Sequence, residues 1–391
     1  MIPLMKNAFI RERDTKVALS EFIKDTDRLS MDIKCFEFEG EFAQYQERKY
    51  ATLFNSGSSA NLALLRSLIN LNVLKKGDTV GFSALTWATN VMPIIQTGLI
   101  PVPIDCDPKT LNVMSYTLEE RLKSTELQAL FITNALGFAG DLENIKNVCN
   151  DNNVLLIEDN CESLGSVLKS RKTGNFGLAS TFSFYVAHHL STIEGGMVCT
   201  DDEDLNQMLR MVRAHGWDRN LSTSQQVCWR EKHKIENDFF AKYSFYDLGY
   251  NLRPTEVTGF LGLYQLQFLE EAITIRERNY LQIEKQMQRN VDLMPVDHSH
   301  LSRLSNFAIP IVCKTPELRK QYKSKFEQAS IEIRPMIAGN IQRQPFYSKY
   351  VNRTFDLSGA DFIHNCGFYC GNYPEMTQED LSTISDCLEK Q

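Results

Sequence analysis

Short runs rich in β-branched and apolar residues, at 78–82, 101–105, 129–135, 154–159, 180–185 and 197–200, alternate with segments of helical periodicity such as 142–149 and 204–213. Continuous apolar runs of that length fit strands buried on both faces. Strands that alternate with helices predict a mostly parallel sheet covered by helices, an α/β fold. In such a sheet ligands collect at the carboxyl ends of the strands, so the residues just after each run are where chemistry is expected. A chain of 391 residues is long enough for a large domain and a smaller companion. The pattern divides it into a large α/β domain over 1–250 and a smaller α+β domain over 251–391, with helical periodicity over 255–269 that continues to about residue 290.

Composition excludes several classes. A net charge of −7 with no basic run argues against nucleic acid as a partner. The opening segment lacks the apolar stretch of a secretion signal, and no run approaches the roughly 20 apolar residues of a membrane span. The expectation is a cytoplasmic protein without membrane association. Of the ten cysteines only Cys366 and Cys370 form a close pair. An iron–sulfur cluster needs four converging thiolates, so neither a cluster nor another metal site is expected. Most of the cysteines sit in apolar runs, as small buried groups in a reducing compartment do.

Chemistry concentrates in a few segments. In Phe54-Asn55-Ser56-Gly57-Ser58-Ser59-Ala60-Asn61 a glycine and serine turn runs into an apolar-periodic helix, whose free N–H groups and dipole suit a phosphate. Alone, such a start is usually just a cap. Asp159 ends the run Val154-Leu155-Leu156-Ile157-Glu158, at the strand end where a ligand would lie. An isolated aspartate there more often caps a turn. Trp87 follows another strand end, placed to face the crevice, and Ser183 opens a segment that reaches His188, His189 and Glu194-Gly195-Gly196.

Taken together, Gly57-Ser58-Ser59, Trp87, Asp159, Ser183, His188 and Gly249-Tyr250-Asn251-Leu252-Arg253-Pro254-Thr255-Glu256 resemble the sugar-nucleotide aminotransferases of the aspartate aminotransferase fold, in order over nearly the whole chain. The resemblance implies pyridoxal 5'-phosphate (PLP) fold type I. Gly57, Ser58, Ser59 and Ser183 would hold the phosphate, and Asn251 would reach it from the partner subunit of a homodimer. Asp159 would face the pyridine nitrogen, where a carboxylate lets the ring accept electrons, and Trp87 would stack on the ring. His188 stands where the family carries its anchoring lysine. A lysine amine both binds the cofactor covalently and moves protons, whereas imidazole only moves protons. PLP and its amine form, pyridoxamine phosphate, are therefore expected to be held non-covalently.

Histidine at this place marks the sugar 3-dehydratases, and the flanking Arg213-Ala214-His215-Gly216-Trp217-Asp218-Arg219-Asn220 resembles theirs as well. The implied substrate is a nucleotide-diphosphate-linked 4-keto-6-deoxyhexose, with L-glutamate as co-substrate and ammonia released. The missing thiolate set favours the subtype acting on GDP-4-keto-6-deoxy-D-mannose in colitose-type 3,6-dideoxysugar synthesis over the CDP-linked subtype, which carries a cluster. His188 would be the general base. Glu162 replaces the usual glutamine or histidine near the cofactor's phenolic oxygen, where a carboxylate needs a shared proton, so it joins His188 and Asp159 as a catalytic candidate; a plain structural acid is the alternative. His215, Arg219, Arg253 and Arg334 are expected at the substrate, the arginines on carboxylate or diphosphate oxygens. His189 is expected to be structural, because adjacent residues on a strand or turn point to opposite sides. Lys169 and Lys172 fall in a polar turn away from the strand ends. The stretch 219–246 is expected to be a long irregular loop near the neighbouring subunit's site. Rival readings are a 4-aminotransferase, a CDP-sugar dehydratase lacking the cluster, and a non-catalytic sugar-nucleotide-binding homologue.

Overall fold

The computed structural model describes residues 1–390. Its central sheet has seven strands in the order Tyr50–Phe54, Gly196–Thr200, Ala179–Ser183, Leu155–Asp159, Ala129–Thr133, Thr79–Ser83 and Ile100–Ile104. The last five of these run parallel, and only Gly196–Thr200 opposes its neighbours. Each expected run produced a strand, and the strands are almost wholly buried because helices cover the sheet. Tyr50–Phe54 is an addition that the sequence did not announce: it is five residues long, it follows the charged Glu47-Arg48-Lys49, and it shows no alternation.

The register places the functional ends together. Thr133 is opposite Asp159, Asp159 is opposite Thr181, and Gly196 pairs with both Ser183 and Phe54. The carboxyl ends of four strands and the turn after Phe54 therefore share one edge of the sheet.

A second, antiparallel sheet is formed by Ala308–Val312, Gly367–Gly371 and Ile333–Pro335. The helix Leu269–Arg289 ties it to the rest: Leu269 and Ile273 join the core around Phe38, Phe42, Phe182 and Phe184, while Tyr280, Ile283 and Met287 join the core around Ile309, Ile311 and Phe368. A rigid 21-residue helix thus spans both cores, and what it carries at its middle is fixed relative to both.

The expected long loop at 219–246 is corrected in part, since it contains the helices Thr223–Lys232 and Asp238–Ala241. Ser222 and Gln225 form a reciprocal capping box at the start of the first. That helix buries no residue, so its sequence carries no apolar stripe to reveal it. Among the described residues, no helix is long and apolar enough to cross a membrane.

Candidate active site

A cavity of about 460 Å³ opens at the shared sheet edge, lined by residues of both sheets. At one side Ser56 caps the helix Gly57–Asn70, its Oγ accepting the Ser59 N–H at 3.1 Å. The N–H groups of Gly57 and Ser58 in the first turn have no partner among the described residues, and both residues line the cavity. Unpaired N–H groups at a helix start are a ready cradle for phosphate. Ser59 turns elsewhere, its hydroxyl donating to Asn55 Oδ1 at 2.5 Å. The cradle depends on two glycines. A Cβ on Gly57 would lie 2.7 Å from Ser183 Cβ, and one on Gly196 would lie 2.4 Å from the Ser56 carbonyl. Their absence of side chains lets the turn close on Ser183, whose hydroxyl also lines the cavity.

Asp159 is 3% exposed and fully engaged. Its Oδ2 accepts from Asn61 Nδ2 at 2.9 Å and from Asn90 Nδ2 at 2.8 Å, while Oδ1 accepts the Cys161 N–H at 2.8 Å. Asn90 is oriented in turn by the Thr86 hydroxyl at 2.8 Å. The carboxylate is held in one orientation by donors from three segments.

Glu162 lies on the same wall and accepts the Leu136 N–H at 2.8 Å. Leu136 has φ 55°, a left-handed conformation that for a residue with a side chain costs roughly 1–2 kcal/mol and that turns its N–H towards this carboxyl. Burial pushes the Glu162 carboxyl up to about 7; the Leu136 N–H opposes the shift and the Asp159 charge adds to it.

His188 stands in the irregular connection between strands Ala179–Ser183 and Gly196–Thr200. Its ring packs against Tyr185 at 5.8 Å and Phe307 at 5.3 Å between centroids, and its Nδ1 is buried without a partner. Burial pushes the imidazole down to about 4, the Ser183 backbone opposing and the Arg276 charge adding. The imidazole is thus neutral at physiological pH. His189 is buried, its ring also against Phe307 at 5.7 Å and its Nε2 2.6 Å from the Ser305 carbonyl oxygen.

Trp87 forms another wall and stays 57% exposed. The second sheet and its connections supply Phe307, Ile337 and Tyr369. Sequence reasoning assigned no role to these three, nor to Asn61 and Asn90. The two asparagines lie within the turn and Trp87 segments already singled out, and only the fold shows that both point at Asp159.

Other expected residues lie outside this cavity. His215 and Arg219 are exposed and attend Trp217, the first edge-on at 5.9 Å and the second over its ring at 5.4 Å. Asn251 bridges to Ala214 and is exposed, as is Arg253. Arg334 is exposed and pairs with Glu332 at 2.5 Å. Among the described residues the cavity lining includes no lysine. Lys169 pairs with Glu143, and Lys172 donates to the Tyr45 carbonyl and lies 3.4 Å from Glu47. The ten thiols are free, with Cys228 exposed and Cys366 and Cys370 buried at the two ends of one strand region.

A phosphate cradle, a carboxylate fixed at a strand end, a flanking indole and a neutral base around one cavity fit PLP, and with the mostly parallel sheet they define a PLP-dependent enzyme of the aspartate aminotransferase-like class. The chain belongs to the DegT/DnrJ/EryC1/StrS aminotransferase family, whose model matches residues 11–389. It is 31% identical to a GDP-4-keto-6-deoxy-D-mannose 3-dehydratase of Yersinia pseudotuberculosis over 372 residues, 94% of each chain. It also superposes on a solved GDP-4-keto-6-deoxymannose-3-dehydratase with bound GDP-perosamine, with a TM-score of 0.89, 28% identity and 100% coverage of both chains. A structure of the same name with a trapped PLP-glutamate geminal diamine matches with the same score, identity and coverage.

Proposed function

We propose that the protein is a PLP-dependent 3-dehydratase that removes the C3 hydroxyl of GDP-4-keto-6-deoxy-D-mannose, using L-glutamate as co-substrate and releasing ammonia. The observation that carries this is a cofactor cavity with a neutral histidine and no lysine at its centre, in a chain similar along its length to a dehydratase of that substrate. When bound, PLP supplies the electron sink for bond-breaking next to the sugar's C4.

The protein's own residues divide the remaining work. The Gly57 and Ser58 N–H groups and the Ser183 hydroxyl hold the phosphate. Asp159, fixed by Asn61, Asn90 and the Cys161 N–H, supplies the negative charge for the pyridine nitrogen. Neutral His188 accepts a proton as general base and, once charged, returns it to the hydroxyl leaving C3. Lacking an amine, it cannot recapture the cofactor covalently, so the product is released by hydrolysis as a keto sugar rather than kept as an amino sugar. Glu162, poised near neutrality, shares a proton at the opposite wall. Phe307, Ile337 and Tyr369 cover the cavity and limit access of water.

The homodimer belongs to this reading. Asn251, Arg253, His215 and Arg219 sit outside their own chain's cavity, and the nearby Phe239, Phe240, Tyr243 and Leu248 are 74%, 67%, 71% and 67% exposed. Exposed aromatic surface of that extent supports a protein interface, through which these polar residues complete a neighbouring copy's site. A cytoplasmic location and the division at residue 250 are parts of the same reading.

The test is mass analysis of the sugar after incubation with PLP, glutamate and GDP-4-keto-6-deoxy-D-mannose. A 4-keto-3,6-dideoxy product is expected. A 4-amino sugar would make the protein an aminotransferase, and an unchanged sugar would support a non-catalytic binding protein.

A further inference from the structure

The connection from Tyr185 to Glu194 carries the proton-transfer histidine, yet it has no regular structure. Within it, His188 N–H donates to the Tyr185 carbonyl at 2.9 Å and Val186 N–H to the Ile193 carbonyl at 3.2 Å. These bonds shape the turn, while His189 Nε2 on the Ser305 carbonyl and the buried Leu190 seat its far side in the body of the protein. Its backbone at His188 and His189 is held by the helix Leu269–Arg289, where Arg276 is 6% exposed. Its Nη1 donates to the His189 carbonyl at 3.1 Å, Nη2 to the His188 carbonyl at 3.4 Å and Nε to the Asn372 carbonyl at 3.2 Å. Asn372 closes the circuit, its Nδ2 donating to the Arg276 and Asn306 carbonyls at 2.9 Å each.

Every nitrogen of this guanidinium is thus spent on peptide carbonyls. No carboxylate pairs with it among the described residues, and Glu375 favours its charge only through space. An unpaired buried cation is a poor way to stabilise a fold. A rigid planar fork is, however, suited to gripping two successive carbonyls in a fixed geometry, which a flexible ammonium does not impose.

We propose that Arg276 is the positioning residue of the reaction: it clamps the His188 and His189 carbonyls from a helix shared by both cores, and so sets where the His188 imidazole stands in the cavity. The inference rests on the proposed role of His188 in proton transfer. The Arg276 charge also disfavours the imidazolium, adding to the larger effect of burial. The other titratable groups around His188 are Tyr185, His189 and Glu194 on its own segment, Asp159, Cys161, Glu162 and Tyr369 on the cavity walls, and Tyr373 and Glu375 on the side where Arg276 lies.

The experiment uses the full-length protein with Arg276→Met and Arg276→Lys. One readout is the ring titration of His188 by NMR of histidine-labelled protein, its signal assigned by loss in His188→Asn. The second is single-turnover formation of 2-oxoglutarate from glutamate by PLP-loaded protein. Arg276→Met is expected to slow that turnover by about 10- to 100-fold, as a misplaced catalytic group does, and to raise the His188 midpoint towards the ordinary range. Arg276→Lys keeps the charge without the fork, so the midpoint stays low while the rate recovers only in part. A folded Arg276→Met protein with wild-type rate and midpoint overturns the proposal. If that variant does not fold, a wild-type rate in Arg276→Lys overturns it. Should His188→Asn itself retain full 2-oxoglutarate formation, the role given to His188 fails, while the ring titration still decides whether Arg276 governs the ring.

Discussion

Asp159 and Arg253 were both expected to serve the same reaction, and the fold treats them in opposite ways. Asp159 is buried with three donors on its two oxygens, whereas Arg253 is exposed and lies outside the cavity. The same contrast separates the cavity wall from the segment that carries His215, Arg219 and the exposed aromatics. In the proposed reading, the groups assigned to electron and proton transfer are preorganised within one chain, where orientation has to be settled before reaction. The groups assigned to the diphosphate in that reading stay at the surface, to be ordered by a neighbouring subunit and the substrate.

That contrast can be broken first at His188. His188→Asn should lower kcat by about 10²- to 10⁴-fold, the usual range for a lost general base, with PLP still retained; steady-state assay and absorbance after dialysis check both parts. Next, Asp159→Asn replaces a fixed charge by an amide whose own N–H groups confront the donors of Asn61 and Asn90. PLP affinity should drop by about 10- to 100-fold, in line with hydrogen bonds to a charged group, measured by titration of the cofactor-free protein.

On the other side of the comparison, Arg253→Ala should raise KM for the nucleotide sugar by about tenfold, equivalent to roughly 1.4 kcal/mol, and leave kcat and PLP affinity nearly unchanged. A fall in kcat alone would place Arg253 with the chemistry instead. Trp87→Ala should weaken PLP binding by only about 2- to 12-fold, since stacking contributes roughly 0.5–1.5 kcal/mol beyond burial.

The smallest effect concerns Glu162, whose carboxyl is held up to about 7 from an ordinary 4.5. Between those values the folded chain binds more protons than the unfolded one, so this group makes stability fall as pH rises. His188, held down to about 4 from 6.5, acts with the opposite sign over its own window. The stability difference between wild type and Glu162→Gln, measured by denaturant unfolding without added PLP, should therefore shift against the wild type as pH rises from about 5 to 7. A constant difference would show that Glu162 is ionised throughout.

Much of this was legible in the chain. Asp159 ends an apolar run that had to be a buried strand, Ser183 lies within another, and Gly57-Ser58 precede a helical period, so their positions follow from local pattern. The residues that were missed act across the fold. Asn61 and Asn90 reach Asp159 from different segments, and Tyr369 and Phe307 arrive from the second sheet. Arg276 sits on a helix whose periodicity marks it as inward-facing without saying which carbonyls it meets. The helix Thr223–Lys232 escaped for a different reason, because it buries nothing and therefore has no apolar period to read. Periodicity reports which side of an element is inside, and partners across the core are set by packing.

The most direct measurement is the ratio of ammonia to 2-oxoglutarate produced with PLP, glutamate and GDP-4-keto-6-deoxy-D-mannose present. A histidine that moves protons but cannot recapture the cofactor predicts one ammonia for each 2-oxoglutarate, with the nitrogen absent from the sugar. If 2-oxoglutarate accumulates without ammonia and the sugar gains an amine, the role given to His188 is wrong.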